Sequence, residues 1–185
     1  MTEPFSGAVL AGGRSSRFGQ NKAHYTYRGK PLTRWVLESL SPAAERFIVA
    51  DTPAQFGLPV YPDIYPGSAL GGLHTALTHA SHDWLALAAC DMPFLITKYW
   101  LALAAHTEAV EAVVVSREGR LEPLAAFYHK RLLARAETQL SAGEFKLQRL
   151  LELSRTRILE WETLGLPDRT LLNANHLIDL PVEHL

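Results

Sequence analysis

The chain has one cysteine, Cys90, in 185 residues. A lone cysteine excludes an internal disulfide. The amino terminus also lacks a cationic stretch followed by an apolar one, so a cytoplasmic protein is expected. Neither sign of charge is in excess: 18 Lys and Arg stand against 19 Asp and Glu, for a formal net charge of -1. That balance argues against a broad nucleic-acid-binding face. No apolar run approaches the roughly 20 residues of a membrane-spanning helix, so no membrane segment is expected. Internal repeats, low-complexity tracts and linkers are lacking too. The eight histidines, among them His74, His79, His82 and His106, do not have the convergent spacing of a zinc set and read as surface or locally bonded side chains. Two phosphate-binding signatures are missing. Gly19 is followed by Gln20 and Asn21 where a P-loop needs a lysine, and the G-x-G-x-x-G of dinucleotide-binding folds does not occur.

What is present is ordinary for a soluble globular protein: 48% apolar and 20% charged residues. The length suits one domain over 1–185 with a substantial core. Buried apolar runs at 8–11, 47–50, 84–90 and 112–115 read as strands. They alternate with helical spacing at Leu32, Trp35, Val36 and Leu40, at Leu73, Ala76, Leu77 and Ala80, and over 96–105. Further helices are expected around Leu132 to Leu140 and Phe145 to Leu151, with further strands at 60–63, 122–128 and 157–161. Gly29-Lys30-Pro31 reads as a turn, 116–120 as another, and His129-Lys130-Arg131 as a solvated helix start. This alternation predicts an α/β/α sandwich around a mainly parallel sheet.

The chain is organised around Ala8-Val9-Leu10-Ala11-Gly12-Gly13-Arg14-Ser15-Ser16-Arg17-Phe18-Gly19-Gln20-Asn21-Lys22. A strand enters a double-glycine turn, where backbone N–H groups can form an anion-binding concavity. Arg14, Arg17 and Lys22 add positive charge suited to phosphate. A second loop, 65–72, is glycine-rich and opens a helix, whose N-terminal N–H groups can face a ligand. The near-continuous apolar run at 84–90 fits a central strand covered on both faces and ends in Asp91. A carboxylate at the end of a central strand lies where open α/β sheets bind ligands, and it suits a hard cation such as Mg2+. Asp91 could instead cap the next helix, a role that Thr97 fits better. Cys90 reads as a small buried residue with no nucleophilic pair.

These residues resemble a family. Leu10-Ala11-Gly12-Gly13, Arg17-Phe18-Gly19 and Lys22 match the L-A-G-G-x-x-x-R-[MF]-G-x-x-K signature of the molybdenum cofactor guanylyltransferases and their nucleotidyltransferase relatives. Gly29 to Leu32 and Cys90-Asp91-Met92-Pro93 extend the likeness. Ser68-Ala69-Leu70-Gly71-Gly72 resembles the family's Gly-Pro-Leu-Ala-Gly without its leading glycine and proline. Pro123-Leu124-Ala125-Ala126-Phe127-Tyr128 resembles the segment lining the acceptor side. Asn173-Ala174-Asn175-His176-Leu177-Ile178-Asp179-Leu180 resembles the family's carboxyl-terminal motif, with His176 and Leu177 in place of Thr and Pro.

The resemblance implies the Rossmann-like nucleotide-diphospho-sugar transferase fold and transfer of GMP from GTP to molybdenum-bound molybdopterin, with pyrophosphate released. It further implies that Leu10, Ala11, Gly12, Gly13, Lys22, Asp63 and Asp91 bind the nucleotide. Arg17, Lys22 and Asp91 would serve catalysis, with Mg2+ on Asp91. Asp63 has a turn residue as its alternative reading, and Ala50, with Asp51 beside it, stands where the family has an asparagine associated with guanosine. A CTP- or other NTP-using transferase therefore stays open, as does a nucleotide-binding regulatory module without turnover. Proteins that deliver the acceptor are possible partners.

Overall fold

The computed structural model describes residues 3–12, 25–51 and 56–174. In chain order the strands and helices are β1 (Phe5–Leu10), β2 (Thr26–Tyr27), β3 (Lys30–Pro31), α1 (Leu32–Ser39), β4 (Glu45–Val49), β5 (Val60–Tyr61), α2 (Ala69–His79), β6 (Trp84–Ala89), α3 (Thr97–Ala104), β7 (Ala112–Arg117), β8 (Arg120–Leu121), β9 (Ala125–His129), α4 (Leu133–Ser141), α5 (Leu147–Glu152) and β10 (Thr156–Glu160). Among the described residues they form an eight-stranded sheet in the order β10-β7-β9-β6-β1-β4-β5, with β8 paired to β7. Neighbours run parallel except around β9, which is antiparallel to both β6 and β7, and in the β7–β8 hairpin.

Period-two alternation divides the strand side chains between two cores. Val9, Ile48, Ala86, Ala88, Val113, Val115 and Phe127 face the layer of α1 and α3, with Val36, Leu37, Leu40, Tyr99, Trp100 and Leu103. Ala8, Phe47, Val49, Leu85, Leu87, Val114 and Tyr128 face α2, α4 and α5, with Leu70, Leu73, Leu77, Leu140 and Leu150. The result is the expected three-layer sandwich. Each residue of β6 is buried, as a central strand covered on both faces requires.

The differences from the sequence expectation are local and have physical causes. Residues 25–31 form a two-stranded ribbon that turns at Arg28 and Gly29, both with positive φ, so the turn comes earlier than expected. Pro31 closes the ribbon and sits just before α1. Trp35 is only half-buried because its indole N–H donates to the Tyr27 carbonyl (3.1 Å) and its face receives Lys30 Nζ, 4.0 Å from the ring centroid. The turn expected at 116–120 forms, as a tight hairpin between β7 and β8 with Glu118 and Gly119 at positive φ. The strand expected over 122–128 forms as β9, beginning after Pro123, which has no N–H to offer a ladder. Thr97 does not cap α3 but is its first residue, and its hydroxyl is directed to Ser41 Oγ (3.2 Å) at the end of the α1 layer. Phe145 lies outside α5 and is exposed.

At the amino edge of the sheet a polar cluster ties β1, β4 and the α2–β6 loop together. Ser6 Oγ donates to Glu45 Oε1 (2.5 Å), and Ser81 donates to Glu45 through its N–H (2.6 Å) and its hydroxyl (2.9 Å). Burial pushes the Glu45 carboxyl up, but these three hydrogen bonds and the nearby His82 together hold it below its ordinary 4.5. A carboxyl lowered on folding stabilises the fold above its unfolded pKa, and that contribution is lost as pH falls through the folded value. Glu45→Gln should therefore cost about 1–2 kcal/mol at pH 7. In urea unfolding the gap to wild type should close as pH falls below 4.5. A gap that is the same at pH 7 and pH 3.5 would contradict this account of the cluster.

Candidate active site

Helices α1 and α2 lie on opposite faces of the sheet. The chain moves from β1 to β4 and β5 on one side, then returns through α2 to β6 on the other side of β1. The strand order thus reverses between β1 and β6, and a crevice opens outside their carboxyl ends, where open α/β sheets bind ligands. Backbone hydrogen bonds carry the ladder one step past each strand there. Ala11 N–H donates to the Val49 carbonyl (2.9 Å), Cys90 N–H to that of Leu10 (3.0 Å) and Ala50 N–H to that of Tyr61 (3.0 Å). Four strand ends are thereby aligned, followed by Asp63 after β5, Asp51 after β4, Gly12 after β1 and Asp91 after β6.

Leu10 is half-buried and Ala11 buried, whereas Gly12 is exposed at the crevice. Asp91 is half-buried beside the buried Cys90. Since α3 begins at Thr97, Asp91 is not its cap. The Asp91 carbonyl accepts from Ala174 N–H (2.7 Å), which brings the start of the Asn173-Ala174 motif to the same strand end. The segment before β9 arrives there too: the Leu124 carbonyl accepts from Ala89 N–H (2.9 Å), and the Tyr128 hydroxyl donates to the Pro123 carbonyl (2.7 Å). Next to it, burial pushes the Glu122 carboxyl up against the opposing pull of Arg117. Gly13, Arg14, Arg17 and Lys22 of the cationic loop lie outside the described residues, as do 175–185 of the carboxyl-terminal motif.

The loop after β5 is built differently from the expectation. Helix α2 starts at Ala69, so Gly71 and Gly72 belong to the helix. They are glycines because other groups come close. A Cβ on Gly71 would overlap the Tyr65 carbonyl, and one on Gly72 would meet the Leu10 methyls at 3.0–3.1 Å. Ser68 caps the helix, its hydroxyl accepting from Gly71 N–H (2.9 Å). Asp63 Oδ1 accepts from Tyr65 N–H (3.0 Å) and from the Thr75 hydroxyl (3.0 Å), so Asp63 does fold a turn. Thr75 was not singled out in the sequence; its signal is a hydroxyl residue next to the apolar stripe of Leu73, Ala76 and Leu77.

His74 is buried, not at the surface. Its ring stands edge-on to Tyr65, 4.9 Å between centroids, and its Nδ1 has no hydrogen-bond partner among the described residues. Burial pulls its pKa down, against Glu137 and Asp63. His129 does start a helical turn, with Nδ1 accepting from Arg131 N–H (3.1 Å), but it is buried. Among the described residues, His, Cys, Asp and Glu form no group of three able to hold a metal ion. No helix among them is long and apolar enough to cross a membrane.

Comparison with known proteins agrees with this geometry. Residues 7–159 match the MobA-like NTP transferase domain. A Deinococcus radiodurans protein described as a probable molybdenum cofactor guanylyltransferase is 37% identical over 96% of this chain and 92% of its own length. The crystal structure of molybdopterin-guanine dinucleotide biosynthesis protein A from Archaeoglobus fulgidus superposes with a TM-score of 0.81, at 27% identity, over 95% of this chain and 94% of that one. The 2-C-methyl-D-erythritol 4-phosphate cytidylyltransferase of Thermus thermophilus shares the fold, with a TM-score of 0.71 at 18% identity over 96% of both chains. The fold is the Rossmann-like one of the nucleotide-diphospho-sugar transferases. The chain belongs to the MobA-like NTP transferase family of nucleotidyltransferases.

Proposed function

We propose that this protein is a molybdenum cofactor guanylyltransferase, which transfers GMP from GTP to the terminal phosphate of a molybdenum-bound molybdopterin. The observation that carries the reading is the meeting of two chain segments at the β1–β6 switch point. Gly12 after β1 and Asp91 after β6 follow adjacent strand ends, joined by the Cys90–Leu10 backbone bond. In the reaction an oxygen of the acceptor phosphate attacks the α-phosphorus of GTP. The bond to the β-phosphate oxygen breaks, and pyrophosphate departs with that electron pair. No protein nucleophile is required, so the chain has to align the two phosphates and offset their charge.

Leu10, Ala11, Gly12 and Gly13 would present backbone to the triphosphate, while Arg17 and Lys22 supply positive charge to it. Asp91 would hold Mg2+. The donor set fits such an ion, because Mg2+ takes one or two protein carboxylates and fills its remaining positions with phosphate oxygens and water. When bound, the ion supplies a Lewis acid and a template for the phosphates. Asp63 would face the nucleoside, and the Pro123-Leu124 segment and Asn173 would border the acceptor. A single working domain, with Cys90 a buried thiol in a reducing cytoplasm, goes with this reading.

A cytidylyl relative is the second reading, favoured by one observation: Ala50, at the end of β4, stands where the family has an asparagine associated with guanosine. The nucleotide preference of the protein separates the two. Preference for GTP supports the guanylyl reading, and preference for CTP replaces it.

A further inference from the structure

We propose that Thr75 is a positioning residue for the nucleotide site, setting the carboxylate of Asp63 through its hydroxyl; this rests on the guanylyltransferase reading above. Thr75 is fully buried within α2. Its Oγ1 donates to Asp63 Oδ1 (3.0 Å) and accepts from Ile64 N–H (2.9 Å), so one hydroxyl holds two consecutive residues of the loop. Tyr65 N–H donates to the same Oδ1 (3.0 Å), which leaves Oδ2 without a hydrogen bond among the described residues.

The loop needs such a hold. Strand β5 has two residues, and among the described residues the ladder bond from Ala50 N–H to the Tyr61 carbonyl is the last before Asp63. Past that point the backbone is fixed from α2: by Thr75, by the His74 ring against Tyr65, and by the Tyr65 carbonyl lying where Gly71 leaves room. With Oδ1 turned inward, Oδ2 is the atom offered to a ligand. A carboxylate repels a triphosphate and accepts from N–H and O–H groups, so Asp63 faces the nucleoside part, which carries those donors. A wandering carboxylate would lose that bond by disorder, because the ordering would then have to be supplied on binding.

The test compares Thr75→Val, Thr75→Ser and Asp63→Asn, alone and with Thr75→Val in the Asp63→Asn background, in the transfer reaction with GTP and Mg2+. Thr75→Val should raise KM for GTP by about tenfold while kcat stays within about twofold, as expected when uniform nucleotide binding is lost. Thr75→Ser, which keeps the hydroxyl, should restore both. In the Asp63→Asn background Thr75→Val should raise KM no further, since its effect passes through that carboxylate. Where Thr75→Val does not melt cooperatively, Thr75→Ala takes its place.

An unchanged KM in the folded variant overturns the proposal. So does a Thr75→Ser variant that behaves like Thr75→Val, or additive effects in the double mutant. Wild type that uses CTP instead of GTP sinks the guanylyl reading only, and the same comparison is then made with CTP. Wild type that uses no nucleotide sinks both.

Discussion

Asp91→Ala should reduce Mg2+-dependent turnover by about a thousandfold or more while leaving the protein folded. Removing one preorganised electrostatic group from a transition state of high charge typically costs about 100- to 1,000-fold, and a carboxylate that holds the metal removes the ion's Lewis acidity as well. The backbone hydrogen bonds at this position do not depend on the side chain. The Asp91 carbonyl accepts from Ala174 N–H, and the preceding Cys90 N–H donates to Leu10; alanine keeps both bonds. Asp91→Asn should behave like Asp91→Ala in turnover, since the amide keeps the shape but not the charge that a hard cation requires. Initial rates of pyrophosphate release at saturating Mg2+, with thermal melting as the control for folding, decide the matter. Full activity in either variant would remove Asp91 from the metal site.

Gly71→Ala should destabilise the protein by about 1–3 kcal/mol and weaken nucleotide binding together with it, the usual cost of forcing an atom into a filled space. The added methyl would lie on the Tyr65 carbonyl oxygen. A backbone oxygen cannot swing aside as a side chain can, and this loop is already held by Asp63, Thr75 and His74. Replacing a helical glycine by alanine ordinarily gains up to about 1 kcal/mol, so a net loss here isolates the steric term. Gly72→Ala is the internal control. The atoms nearest its methyl belong to the Leu10 side chain, the terminal carbons closest at 3.0–3.1 Å, and these can shift, so the helix gain should offset the contact. Urea unfolding of both variants, paired with their GTP affinities, tests the contrast. A Gly71→Ala protein as stable as wild type would mean that the Tyr65 loop is not seated on α2 as described.

The middle of the sheet was legible because β6, most of β7 and the ends of β1 and β4 are apolar runs, and several turns carry glycine or proline. The run from Trp84 to Ala89 could be read as a central strand because burial on both faces leaves no polar position in it. Asp91 stood out for the same reason, as the first charge after that run. The α2 region was harder. Two adjacent glycines ordinarily signal a loop, yet here they lie within a helix, because the Tyr65 carbonyl and the Leu10 side chain approach them from elsewhere in the fold. That information is tertiary and has no local signature. Thr75 was missed on similar grounds: a threonine beside a helical apolar stripe gives no sign that its hydroxyl meets a carboxylate 12 residues earlier. His74 was misread because a histidine beside small apolar residues can face either solvent or a neighbouring helix. Arg17 and Lys22 lie outside the described residues, and they enter the proposal from their place with Arg14 in one cationic loop and from the family resemblance.

The measurement that tests the central claim most directly is calorimetric titration of the wild-type protein with GTP, CTP, ATP and UTP, each with Mg2+, repeated on Asp91→Ala. A guanylyltransferase should bind GTP at least about tenfold more tightly than CTP, because a site built to hydrogen-bond one base leaves polar groups unpaired against another. That preference should be weakened in the variant. Tighter binding of CTP, or GTP binding that neither requires Mg2+ nor changes in Asp91→Ala, would contradict the account.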